Sequence, residues 1–230
     1  MSSLERLFVW AGGAIFVLSL GACAYMYVVV WRSPSPVADA GMTRAVVLNS
    51  VLFGAFALHH SLFARESIKA LVARIVPARV VRSFYVWTAS ALLLVVLAFW
   101  QPVAGLIYSA GGWRGAAHTA LQLCGIWLIA RSVGRIDPLE LAGIRAVSRS
   151  EALQVGGPYR WVRHPLYLGW ILVVFGAAQM TGDRFVFAVI STAYLLVAIP
   201  WEERSLRGAF GAAYADYQRT VPWRVIPFVY

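Results

Sequence analysis

The feature that most constrains this chain is a set of uncharged apolar runs about as long as a bilayer is thick. Leu7 to Trp31 carries no charged residue. About 20 such residues cross the hydrocarbon layer as a helix. Ala45–Ala64 and Ser83–Gln101 read as a second and third span. Ala116–Ala130, between Arg114 and Arg131, is a shorter fourth. Pro165–Thr181 and Phe185–Trp201 are a fifth and sixth. Only 13% of the residues are charged and 60% are hydrophobic, against about 25% charged in soluble domains. The expected fold class is therefore all-α: a polytopic membrane helical bundle of about six spans. Residues 1–110 would hold the first three helices, and 111–230 the rest and a cytoplasmic tail.

Net charge is +10. A basic chain can signal nucleic acid, but these arginines flank apolar spans. With six spans, sixteen of the twenty basic residues fall on the side of both termini. Only Arg32, Arg44, Arg114 and Arg184 fall opposite. The positive-inside rule then places both termini in the cytoplasm and makes the bilayer, not nucleic acid, the partner. Cys23 and Cys124 lie within apolar runs and have no zinc spacing. His59 and His60 are adjacent on a helix and point about 100° apart, so they suit one metal ion or haem poorly. With His118 they read as interfacial or hydrogen-bonded histidines, and no metal is expected.

One stretch breaks the apolar pattern: GGPYRWVRHPLYLGW, beginning at Gly156. Gly156, Gly157 and Pro158 mark a turn. Pro165 suits the first turn of a helix, and His164 before it is pushed out of helical geometry. The helix start carries unpaired N–H groups and partial positive charge. With Arg163 and His164 beside it, it offers a seat for a carboxylate. The fifth and sixth spans are joined by a short turn near Thr181–Arg184, so a hairpin of matched arms brings its free ends together. Arg163 and His164 should then meet Glu202 and Glu203. A purely structural reading also exists: an interfacial ion-pair cluster with snorkelling arginines. After Glu203, Leu206, Phe210, Tyr214 and Tyr217 recur at helical spacing, which reads as an amphipathic helix on the interface.

The segment GPYRWVRHPLYLG, a hairpin, then EERSLRGAFGAAYADYQRTVP resembles the C-terminal signature of the isoprenylcysteine carboxyl methyltransferase and phospholipid methyltransferase superfamily. Upstream, HSLFAR, RIVPARVVRSFYVWTAS and IDPLELAGIR are similar to its NnrU-like and methanethiol-methylating branch. The resemblance implies a membrane-embedded S-adenosylmethionine-dependent methyltransferase of the bacterial inner membrane. The acceptor would be a small thiol or another small lipophilic molecule. Gly157, Tyr159, Arg163, His164, Pro165, Tyr167 and Gly169 would shape the cofactor pocket, and Glu202 and Glu203 would close it. Tyr214, Tyr217 and Pro222 match the tail pattern. Trp223 stands where the family often has a basic residue, with Arg224 next. Arg163 and Glu203 would carry the reaction site, and Arg131 resembles a substrate-side arginine.

Two other readings share these residues. Membrane sterol reductases that use NADPH are also similar, with an RHP segment and a tail like VPWRVIPFVY. They usually show asparagine after the proline and lack the paired glutamates, whereas this chain has Leu166 and Glu202–Glu203. The other is a non-enzymatic NnrU-like membrane protein.

Overall fold

The structure is a computed structural model, and it describes residues 2–36, 41–63, 65–77, 80–134, 139, 142–144 and 153–230. The chain divides into two compact units, residues 1–105 with 136–148, and residues 106–135 with 149–230.

The first unit contains α1 (Ser3–Val28), α2 (Met42–Phe63), the short α3 (Glu66–Val72) and α4 (Val81–Ala98). Ser2 and Glu5 start α1 as a capping box: Ser2 Oγ accepts from the Glu5 N–H, and Glu5 accepts from the Ser2 N–H at 2.8 Å. The Trp87 indole of α4 lies over Gly12 of α1, where a methyl group would sit 2.9 Å from the ring. Its Nε1 donates to the Phe8 carbonyl at 2.9 Å. Asn49 of α2 is fully buried and grips the Gln101 backbone twice, donating to its carbonyl and accepting from its N–H, both at 2.8 Å. At the end of α2, His60 Nδ1 lies 2.6 Å from the Tyr85 hydroxyl of α4, and His59 stacks on the same Tyr85 ring. The histidines that invite a metal reading thus engage an aromatic neighbour.

The second unit contains β1 (Leu106–Ser109), α5 (Gly112–Val133), a 3-10 turn at Gly157–Arg160, α6 (Pro165–Phe175), β2 (Gln179–Thr181), α7 (Gly182–Phe210) and α8 (Ala212–Thr220). α5 and α6 touch through paired glycines. A methyl group at Gly169 would lie 2.8 Å from the Gly125 carbonyl, and one at Gly125 would lie 2.6 Å from the Gly169 carbonyl. Small residues let helix backbones approach this closely in an apolar phase.

Among the described residues, four helical stretches are long and apolar enough to cross a membrane: Ser3–Arg32, Met42–Phe63, Val81–Ala98 and Gly182–Phe210. The expected fourth span lies within α5, whose 22 residues include Arg114, His118, Gln122 and Arg131. The expected fifth span is interrupted. α6 has 11 residues and stops at Phe175. Beyond Gly176 the chain becomes extended and pairs antiparallel with β1, Tyr108 opposite Met180 and Ser109 opposite Gln179. The fold is accordingly mostly helical, as expected, with a two-stranded ribbon among the described residues that the all-α reading did not include. The apolar run concealed the break because Gly176, Ala177 and Ala178 suit either state.

This break also changes why the hairpin closes. The arms are not two equal helices. α6 supplies about 16 Å at 1.5 Å per residue, and the three residues of β2 about 10 Å more. From Gly182 to Glu203, α7 rises about 33 Å, and its far end still returns to the start of α6, where Arg163 meets Glu203. α7 also runs through Pro200, beyond the expected end at Trp201, and carries Glu202 and Glu203 as helical side chains. Gly211, at φ +53°, then turns the chain sharply into α8, a conformation that disfavours any residue with a Cβ.

Candidate functional site

At the N-terminal end of α6, Arg163 Nε donates to Glu203 Oε1 at 2.7 Å, and both side chains are almost fully buried. A buried ion pair needs its remaining donors and acceptors satisfied if it is not to destabilise the fold. Here they largely are. Arg163 Nη1 donates to the carbonyls of Val221 at 2.8 Å and Pro222 at 2.7 Å. Glu203 Oε2 accepts from Gln218 Nε2 at 3.2 Å and lies 3.5 Å from Arg224 Nε. The backbone is tied as well: the Arg163 and His164 N–H groups donate to the carbonyls of Trp223 and Arg224, at 2.9 and 2.8 Å. Pro222 ends α8 and lets the tail run extended past the RHP segment.

Glu202 is differently placed. Its side chain is 44% exposed. One oxygen accepts a hydrogen bond from the Tyr167 hydroxyl, and the other lies 3.5 Å from His164 Nδ1. His164 is 7% exposed and stacks on the Tyr167 ring, with 5.3 Å between centroids. Its Nε2 lies 3.5 Å from Glu203 Oε1, makes no hydrogen bond and is out of contact with solvent. Burial pushes the imidazole down to about 4, against the pull of Glu203. Arg163 and Arg224 already balance Glu203, so the ring sits there neutral.

The sequence-predicted residues thus separate into groups. Arg163, His164, Tyr167, Glu202 and Glu203 are brought together. Tyr159 packs beside them on Tyr214, Tyr217 and Val221, and its carbonyl accepts from the Tyr217 hydroxyl at 2.7 Å. Burial pushes the Tyr214 phenol up to about 12, so it remains protonated. Leu206 and Phe210 join the same apolar cluster. Packing against protein therefore covers one face of α8, a nine-residue helix. Pro165 is the first residue of α6, and Gly157 holds φ +63° in the turn before it. Gly169 meets α5, while Arg131 is exposed in the last turn of α5.

Gln218 and the carbonyls of residues 221–224 were not expected from the sequence. Main-chain acceptors carry no side-chain signal. The Gln218 position shows a hint only in hindsight, one residue beyond buried Tyr217.

The far end of α6 is capped by side chains from α5 and β1. A helix end leaves carbonyls without intrahelical partners. Gln122 Nε2 donates to the Val173 carbonyl at 3.0 Å, and the Tyr108 hydroxyl to Phe175 at 3.0 Å. His118 Nδ1 lies 3.3 Å from the Gly176 carbonyl. Satisfying them matters because irregular backbone at membrane depth must be paired within the protein.

Residues 113–213, which span α5 to the start of α8, match the phospholipid methyltransferase family. Methanethiol S-methyltransferase of Mycobacterium tuberculosis is 35% identical, covering 92% of this chain and 94% of the relative. Methanethiol S-methyltransferase 2 of Bradyrhizobium diazoefficiens is 35% identical, covering 86% and 79%. Nurim of Danio rerio is 30% identical, covering 70% and 64%. No solved structure matches the chain. The RHP and EER segments, joined in space by the Arg163–Glu203 pair, lie inside the matched region. With alignment along nearly the whole of both chains, this integral membrane protein belongs to the isoprenylcysteine carboxyl methyltransferase and phospholipid methyltransferase family.

Proposed function

We propose that this protein is an S-adenosylmethionine-dependent methyltransferase of the bacterial inner membrane, with both termini cytoplasmic, and that it methylates a small thiol. Family membership supports the reaction class. The names of the relatives aligned along most of the chain support the thiol. The observation that carries the reading is the unequal use of the two glutamates. Glu203 is buried and spent on Arg163, Gln218 and Arg224, whereas Glu202 keeps an exposed carboxylate braced by Tyr167.

That donor set fits the methionine end of the cofactor. Glu202 suits its ammonium. In the first turn of α6, Pro165 has no N–H and Tyr167 and Leu168 donate to the His164 carbonyl, which leaves the Leu166 N–H as the main-chain donor that suits the cofactor's carboxylate. Arg163 has Nε and Nη1 engaged, so in this reading it frames the site through the tail. The bound cofactor supplies an electrophilic methyl group on a sulfonium. The chain's tasks are to hold the donor, exclude water and align a thiolate behind the methyl carbon. Tyr159 and Tyr167 offer aromatic faces to a cation, and Arg131 is the substrate-side candidate.

The test is methyl transfer by the purified full chain in detergent, using labelled S-adenosylmethionine and methanethiol, longer alkanethiols, phosphatidylethanolamine or a prenylated cysteine. Thiols are expected to accept label, and phosphatidylethanolamine is not. Transfer to phosphatidylethanolamine alone would replace the acceptor. Stabilisation by NADPH, with none by S-adenosylhomocysteine, would end the reading.

A further inference from the structure

We propose that the rim around this cluster is a docking surface for anionic phospholipid headgroups. Trp127, Trp161 and Trp201 stand about half exposed on α5, the segment before α6, and α7. The Trp127 and Trp161 rings are 6.3 Å apart. Trp201 directly precedes Glu202, and Glu203 is paired with Arg163, two residues after Trp161. The three tryptophans therefore surround one end of the second unit. Such rings settle at the headgroup level of a bilayer.

Beside each tryptophan stands an exposed arginine: Arg131 one turn after Trp127, Arg160 next to Trp161, and Arg204 one turn after Trp201. None of the three makes an ion pair or side-chain hydrogen bond among the described residues. Of the acidic side chains nearby, Glu202 is held by the Tyr167 hydroxyl and faces His164, and two others are paired. Glu203 is held by Arg163 and Arg224, and Asp216 by Arg219. Arg207, close by, is engaged with Gln218 at 2.9 Å. Three guanidinium groups with no ion-pair partner among the described residues, each beside an exposed tryptophan, match phosphodiester oxygens, which they bind bidentately. A zwitterionic lipid cancels much of that attraction with its own cation, so an anionic headgroup is the favoured occupant. This surface does not depend on the identity of the methyl acceptor.

The experiment compares the full chain in nanodiscs of phosphatidylcholine with and without phosphatidylglycerol. Wild type is expected to melt higher with phosphatidylglycerol, and to retain it over phosphatidylcholine in native mass spectrometry. A variant combining Arg131→Gln, Arg160→Gln and Arg204→Gln should lower that retention ratio about tenfold. The corresponding triple Lys variant should keep most of it, which separates lost charge from damaged folding. Equal melting in the two lipids, or unchanged retention in the Gln variant, overturns the proposal. So does an equal rise from inorganic phosphate in phosphatidylcholine alone, because that would mark a free-anion site.

Discussion

The two ends of α6 solve the same problem with different chemistry. At the C-terminal end, carbonyls exposed by the helix break meet the side chains of Gln122, Tyr108 and His118, and buried Arg184 donates to the Gln179 carbonyl just beyond at 2.7 Å. At the N-terminal end, Arg163, Glu203 and Arg224 form a charged core, with neutral His164 and half-exposed Glu202 against it. A charged core requires a closely fitted shell, and the tail supplies it through four main-chain carbonyls. The far end therefore fixes α6 in place, and the near end carries the groups proposed to hold the cofactor's methionine end.

The largest expected effect tests whether the near end depends on its charge pair. Arg163→Ala leaves Glu203 buried without its main partner and frees the Val221 and Pro222 carbonyls. It should cost about 3–5 kcal/mol, read as loss of folded protein in detergent melts. Arg163→Lys should recover only part, because one ammonium cannot reproduce the planar fork. A melt unchanged by Arg163→Ala would mean the tail holds without the pair.

The next concerns protonation. The His164 imidazole is near 4 in the fold and near 6.5 when unfolded. Between those values the unfolded chain binds the proton and the folded chain does not. Stability is then full above about pH 6.5 and declines as pH falls towards 4, by at most about 1.4 kcal/mol per unit. Melting across that window checks it, and His164→Asn should flatten the slope.

Breaking a neutral cap should cost less. Gln122→Leu leaves the Val173 carbonyl unpaired, about 1–3 kcal/mol, with cofactor affinity lowered only through stability. The smallest change in stability is expected from Tyr167→Phe, about 1 kcal/mol or less. Its effect should instead appear as weaker S-adenosylhomocysteine binding by calorimetry, since Glu202 loses its brace. If Gln122→Leu weakened binding more than Tyr167→Phe at equal stability, the division between the two ends would be wrong.

Much of this was legible in the residues. The four long spans follow from uninterrupted apolar length, and the start of α6 from Pro165 after a turn-forming run. The approach of Arg163 to Glu203 was also within reach, because a short connection joined two apolar runs of nearly equal residue count. The break at Gly176 was not. Its sequence, GAAQMT, is apolar enough to continue a helix, and its strand partner Tyr108 lies about seventy residues away. Nor did the sequence distinguish adjacent Glu202 from Glu203. Neighbouring helical positions point about 100° apart, and only the placement of Arg163 and the tail decides which one is buried.

The sequence by itself determined which stretches leave water and which charges must sit at their ends. Both depend on local transfer free energies that each segment carries with it. Tertiary structure alone decided where α6 stops, which glutamate remains open, and that the tail's backbone completes the Arg163 site. These outcomes depend on donors and acceptors far apart in the chain. Their pairing has no energy until folding brings them within hydrogen-bond distance.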